Sequence, residues 1–420
     1  MNSRSLASME GIDPQPSETA YFEERPPVFQ ETMDITALLH HLEDATPSVI
    51  AEPSEEINPP ARYIIGRELG SGSIGQVIMA RDQHLGREVA IKVLHEGEGL
   101  SRDIIARFVA EAQITAQLEH PSVVPVHEIG LMPGGMPYFS MKLVKGRSLD
   151  DIINLLRIGD RAALRTYNHL MRLRLFQRIC QGMAYAHAKG VVHRDLKPSN
   201  VMIGEYGEVQ IMDWGLAKII PAFSTSNGAG SVLTVRRETG SNNSRGSIVG
   251  TPSYMSPEQA RGDYDDIGPR SDVFTLGLIL AELMSLIRVY RRPGFQATLD
   301  EAKHPSGPVD IRKLAPWTAF TQDIDRVVRR ATHPEIEQRH HHAGELSADI
   351  AKLIEERSSP TSVKRFSSQE KTEEETSIPL CQFHLPSIGE TPRPSGFGLG
   401  VLTLLGLEAA IFLLWLLLQW

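Results

Sequence analysis

A chain of 420 residues, 41% of them hydrophobic, has material for one large two-lobed domain or two ordinary ones. Its 43 basic and 52 acidic side chains give a net charge of −9, which provides no electrostatic basis for nucleic-acid binding. The 2 cysteines, Cys180 and Cys381, lie too far apart in sequence for a disulfide framework or a cysteine metal knot, and suit a reducing compartment.

Residues 1–61 are rich in Pro, Ser and Glu, lack the apolar core of a signal peptide, and read as a disordered tail. Within it, Ile35 to Leu42 has the pattern of a short amphipathic helix, and Pro59-Pro60 closes the segment. Order starts near Tyr63. Ile64-Ile65, Val77-Ile78-Met79 and Val89-Ala90-Ile91 are short β-branched runs between turn residues and predict an antiparallel meander. Ile104 to Leu118 has helical periodicity, with strand-like runs after it at Val123 to Ile129 and Tyr138 to Val144. Beyond Gly146 long helical patterns take over, notably Leu170 to Ala188 and Val273 to Leu286. The expected class is α+β, with a small β-rich lobe over 62–145 and a larger helical lobe over 146–355. Residues 219–248, full of Ser, Thr, Gly and Asn, predict a mobile loop, and 356–396 a flexible linker. Phe397 to Trp420 is apolar except for Glu408, Gln419 and a few small residues, long enough for a membrane-spanning helix. A buried core helix is the alternative.

Five motifs follow one another in order. Gly70-Ser71-Gly72-Ser73-Ile74-Gly75-Gln76-Val77 lies between two predicted strands, where glycines let the backbone approach phosphates and offer them N–H groups. A glycine-rich hairpin is the plain alternative. A dinucleotide site would need a helix after the loop; here a strand follows, then Val89-Ala90-Ile91-Lys92. His193-Arg194-Asp195-Leu196-Lys197-Pro198-Ser199-Asn200 offers Asp195 as the carboxylate that orients a hydroxyl and takes its proton, with Lys197 to reach a phosphate and Asn200 to hold a metal ion. Asp213-Trp214-Gly215 adds a second oxygen ligand for a hard cation, and Ser256-Pro257-Glu258 ends the series. His340-His341-His342 cannot place three side chains on one helix face and predicts no metal site.

This set resembles the eukaryotic-like (Hanks-type) bacterial Ser/Thr protein kinases over about residues 62–355. The resemblance implies the two-lobed kinase fold and the use of ATP with Mg²⁺, or Mn²⁺ in its place. Asp195, Lys197, Lys92 and Glu111 would be catalytic, with Glu111 as the partner of Lys92 and Glu119 as the fallback. ATP would lie against Leu69, Gly70, Ser71, Gly72, Ser73, Ile74, Gly75, Gln76, Val77, Ala90, Lys92, Met141, Lys142, Leu143 and Val144. Met141 would be the gatekeeper and Lys142 to Val144 the hinge, where the family usually has an acidic residue in place of Lys142. Asn200 and Asp213 would hold the metal, and Trp214 would fill the place of the usual Phe. Arg194 would grip a phosphorylated activation loop, with Ser244 and Ser247 nearest the usual position, Thr239 and Ser241 behind them, and Thr251 beside Asp195. Glu258 would pair with Arg339, and Asp272 would brace the catalytic-loop backbone.

The implied partners are proteins bearing Ser or Thr acceptors, with homodimerisation for trans-autophosphorylation, the membrane through 397–420 with the kinase domain on the cytoplasmic side, and no nucleic acid. With no segment after 397–420 in this sequence, the activating input is expected from a partner, the N-terminal tail or clustering. The rival readings are a pseudokinase scaffold, which would have lost one of Lys92, Asp195 and Asp213, and a small-molecule kinase, which would lack the segment Gly250 to Glu258. Departures from the family pattern fall between Asp213 and Glu258 and over Arg288 to Trp317.

Overall fold

The computed structural model describes residues 62–72, 75–95, 101–132, 136–220, 232, 234, 250–315 and 322–358. The chain divides into two compact units, Met1–Ser362 and Val363–Trp420, and all the described residues belong to the first.

The small lobe is an antiparallel sheet of five strands, β1 (Tyr63–Ser71), β2 (Gly75–Asp82), β3 (Arg87–Leu94), β4 (Val126–Leu131) and β5 (Pro137–Lys142), in the order β1-β2-β3-β5-β4. Helix α1 (Arg102–Gln117) lies between β3 and β4 in sequence and starts on a Ser101 cap, whose hydroxyl accepts from the Ile104 N–H. Residues of β3 alternate between two faces. Ala90 and Leu94 meet Phe108 and Ala112 of α1, whereas Val89, Ile91 and Val93 point to the other side. Lys92 shares the α1 face by this alternation.

The larger lobe follows β6 (Gly146–Ser148). Its helices are α2 (Leu149–Arg157), α3 (Arg161–Thr166), α4 (His169–Ala188), α5 (Pro257–Arg261), α6 (Pro269–Ser285), α7 (Phe295–Lys303), α8 (Ile311–Leu314), α9 (Gln322–Ala331) and α10 (Ala343–Ser358). Short strands β7 (Val191–Val192), β8 (Val201–Gly204), β9 (Val209–Ile211) and β10 (Lys218–Ile219) form a β6-β8-β9 sheet and a β7-β10 ribbon between α4 and α5 in the sequence. Every residue of α6 except Arg270 is buried. A helix apolar on all sides belongs in a core, and α4, α9 and α10 pack around it.

The helical patterns at 104–118, 170–188 and 273–286 correspond to α1, α4 and α6. Val123 differs. It sits outside β4 in an isolated parallel bridge to Ile211, so the strand starts three residues later. Residues 288–315 contain α7 and α8. Among the described residues no helix is long and apolar enough to cross a membrane; residues 397–420 lie outside them.

Candidate active site

The cleft between the lobes is built by three backbone arrangements. The first is the β1–β2 connection. Gly70 pairs with Val77 and Ser71 with Gln76, and the Gly72 N–H donates to Gly75 O at 2.9 Å. A Cβ on Gly75 would fall 2.2 Å from Val93 O, so packing alone demands glycine there. A Cβ on Gly70 would meet nothing within 4 Å, and one on Gly72 only Gly75 O at 3.7 Å. Among the described residues, protein packing does not require those two glycines. His95, which sequence reasoning missed, places Nε2 3.0 Å from Gly72 O and 3.2 Å from Ser71 Oγ. Ser73 and Ile74 lie outside the described residues.

The second is the turn that holds Asp195. Arg194 has φ 67°, a left-handed conformation that a long side chain seldom adopts. Neighbouring groups fix it. Asp272, at the start of α6, accepts from the His193 N–H at 2.8 Å and the Arg194 N–H at 3.0 Å, and Gln259 donates to Arg194 O at 2.7 Å. Burial works against the Asp272 carboxylate, but His187, 2.9 Å away, and the amides outweigh it and hold its pKa below the ordinary value. The third is the turn at Asp213, also left-handed at φ 62°. Trp214 behind it is fully buried and meets His193 in a tilted ring contact with centroids 4.6 Å apart. Among the described residues its buried indole Nε1 has no hydrogen-bond partner.

These turns bring the polar groups together. Lys92 Nζ lies 2.6 Å from Glu111 Oε1 and 3.6 Å from Asp213 Oδ1. Burial pulls the Lys92 ammonium down, yet Glu111 and Asp213 more than offset this and raise its pKa. Burial also raises the Glu111 carboxyl against the pull of Lys92; at 2.6 Å the charged pair is the arrangement the geometry favours. Glu119 is exposed, beyond the end of α1. Asp195 Oδ2 accepts from Lys197 Nζ at 2.8 Å, and Oδ1 accepts from the Thr251 N–H at 2.9 Å and hydroxyl at 2.8 Å. Asn200 commits its Nδ2 to Asp195 O at 3.0 Å, so the rest of its amide is an oxygen. With the Asp213 carboxylate, that makes a sparse all-oxygen donor set of the kind Mg²⁺ takes when phosphates and waters complete it. Among the described residues no cluster of three or more His, Cys, Asp or Glu could hold a metal ion.

A cavity of about 640 Å³ adjoins this cluster, lined by Leu69, Gly70, Val77 and Ala90 above, Lys142, Leu143 and Val144 at its edge, and Met202 and Met212 among the residues below. Met141 is buried behind Ala90 and is not part of the lining. Met202 and Met212 were missed in the sequence. The signal was their position, two residues after Asn200 and one before Asp213. Lys142 meets Glu208 at 3.8 Å in a half-exposed pair, which contributes little. Below the site, Glu258 and Arg339 form a pair with both side chains fully buried. Ser244 and Ser247 lie outside the described residues.

Residues 63–375 match the protein kinase domain family. The chain belongs to the protein kinase family. Its relatives are bacterial serine/threonine-protein kinases, which places it in the eukaryotic-like branch. It is similar to PknD of Protochlamydia amoebophila, 32% identical over 74% of this chain and 32% of the relative. It is also similar to PknB of Mycobacterium tuberculosis, 32% identical over 70% and 43%, and PknB of Mycolicibacterium smegmatis, 31% over 80% and 50%. The matched part of this kinase chain spans from 32% to 50% of the length of these relatives.

Proposed function

We propose that this chain is a serine/threonine protein kinase that transfers the γ-phosphate of ATP to Ser and Thr hydroxyls of proteins. The observation that carries the reading is the intact set around one cleft: Lys92 paired with Glu111, Asp213 beside Lys92, and Asp195 flanked by Lys197 and Asn200. A pseudokinase scaffold would be expected to lack one of these groups.

In this reading the adenine lies in the apolar cavity between Ala90 and Met212, and the backbone of Leu143 and Val144 recognises it. The glycine-rich β1–β2 connection, where Gly70 and Gly72 leave room for close approach, and the Lys92 ammonium hold the phosphates. Mg²⁺, held by Asn200 and Asp213, would neutralise charge on the phosphate oxygens. Asp195 orients the acceptor hydroxyl and takes its proton as that oxygen bonds to the γ-phosphorus and the bond to ADP breaks. Lys197 sits beside Asp195 to offset charge on the transferring group. Fixing these groups beforehand supplies most of the catalysis for a reaction that needs position and charge more than covalent help.

The finer proposals are autophosphorylation in trans, at Ser244, Ser247 or a neighbour, and a membrane tether through 397–420. Arg194, one residue before Asp195, is the cation that a loop phosphate of about −1.5 to −2 charges would engage. Incubating the protein with γ-labelled ATP and Mg²⁺ tests the reading. Label on Ser and Thr between residues 219 and 251 and on added protein is expected. Labelling of a small metabolite alone, or of nothing, would overturn it.

A further inference from the structure

Strand alternation gives the five-stranded sheet two faces. The inner face carries Ala90, Leu94, Phe139 and Met141 and receives Phe108 and Ala112 of α1. The outer face carries Ile78, Ala80, Val89, Ile91, Val93 and Tyr138, with Tyr63 beside them. All seven are at most 8% exposed, and Ala80, Val89 and Ile91 are at 0%. A sheet buried on both faces has a covering layer on each. Among the described residues only the inner face has a helix. The outer cluster consists of strand residues, with Ile65 and Met132 packed against it. The polar groups at its rim satisfy one another: Glu128 accepts from the Tyr63 hydroxyl at 2.5 Å and the Tyr138 hydroxyl at 3.0 Å, and Arg62 pairs with Asp82 and Glu128. The layer that covers the face is therefore apolar.

We propose that this outer face is the docking site of the chain's own segment Ile35–Leu42, bound as a single amphipathic helix. Ile35, Leu38, Leu39 and Leu42 fall at the i, i+3, i+4 and i+7 spacing of one helical stripe, with Ala37 and His40 opposite. Eight helical residues span about 12 Å, close to the ~14 Å across four neighbouring strands. So short a helix is marginal alone in water, and an apolar sheet face supplies the missing partner. The place where the described chain begins supports the same occupant. Tyr63 opens β1 and is itself a member of the outer cluster, so the preceding residues leave from the rim of this face. The 20 residues between Leu42 and Tyr63 reach up to about 70 Å when extended, so the tether permits every position on the sheet. A second copy covering the face would leave the leucine stripe without a partner. The inference is independent of phosphoryl transfer.

Hydrogen–deuterium exchange on the full chain tests it, read over residues 76–94 of β2 and β3, with light scattering to give the mass. L38D/L39D should speed exchange there by tenfold or more at unchanged mass, and A37D/H40D, on the opposite side of the stripe, should leave it alone. Unchanged exchange in L38D/L39D, or equal acceleration in both variants, would overturn the proposal. Acceleration together with a halved mass would do so too, since the cover would then be a second copy. If L38D/L39D does not fold, the L38A/L39A chain takes its place. A synthetic peptide of residues 33–44 should restore slow exchange to it, and failure to restore would count against the proposal.

Discussion

Among the described residues the Asp195 carboxylate accepts three hydrogen bonds, from Lys197 and from the amide and hydroxyl of Thr251. Asp195→Asn keeps the shape but removes the carboxylate that takes the proton. Transfer should fall by about 10² to 10⁴-fold while ATP binding, measured by titration, stays within a few-fold of the parent. Near-parental autophosphorylation would remove Asp195 from the role proposed here. Trp214 poses a different test, because it fills the core behind Asp213 with an Nε1 that has no partner among the described residues. Trp214→Ala should cost about 3–5 kcal/mol in urea unfolding. Trp214→Phe deletes an orphan donor whose burial costs about 1–3 kcal/mol and leaves a smaller ring, so the two effects oppose. It should cost much less than the Ala variant and keep activity; a loss as large as that of Ala would mean that the indole N–H has a partner. Most of the polar site was legible at this scale because each residue has a fixed offset from a glycine, a lysine or an aspartate in a motif. His95, Met202 and Met212 were not, because a lone His or Met carries no chemical signature until the fold sets it beside the glycine-rich loop or the cavity.

At the scale of elements, helix α5 and the turn before α10 are joined by one buried ion pair. Arg339 uses all its donors: Nε to His333 O, Nη1 to Glu258 and Arg270 O, and Nη2 to Glu258 and Pro334 O. Arg339→Ala leaves a buried Glu258 charge and should cost about 3–5 kcal/mol. Arg339→Lys should recover only part of that, because an ammonium has three donors and no fork; full recovery would show that charge alone matters. Burial raises the Glu258 carboxyl, but Arg339 outweighs it and sets its pKa below the ordinary 4.5. A carboxylate with a depressed folded pKa stabilises the fold fully above its unfolded value, and that contribution is lost as pH falls through the folded one. Unfolding free energy should therefore be flat from Glu258 above about pH 5 and fall steeply below about pH 4. Glu258→Gln should flatten that fall; an unchanged acid limb would remove Glu258 as its source. Helices α1, α4 and α6 were legible from periodicity because each buries at least one long face. The start of β4 was not, since Val123 is apolar for its bridge to Ile211 and periodicity cannot distinguish a bridge from a strand.

For the whole molecule, the catalytic unit and the apolar stretch at 397–420 make separate demands. The linker residues Lys364, Arg365, Lys371 and Arg393 all precede the stretch, as expected for a span whose N-terminal side faces the cytoplasm. Trp415 and Trp420 stand near its far end, where indoles favour the membrane interface. Glu408 opposes insertion, at a cost of at least ~2.5 kcal/mol for an acid near the bilayer centre. A segment of 24 residues with four aromatic side chains and many leucines offsets that, since each central Leu contributes roughly −0.5 kcal/mol on the same kind of scale. Deleting residues 397–420 should move the protein from the membrane pellet to the supernatant, with nucleotide affinity unchanged, because no residue assigned to the site lies beyond Arg339. Glu408→Leu should leave the full chain in the pellet. If the full chain stays in the supernatant without detergent, or if the truncated chain loses its cooperative unfolding transition, the segment is a core helix, and the membrane tether must be abandoned while the assignment of Asp195 stands.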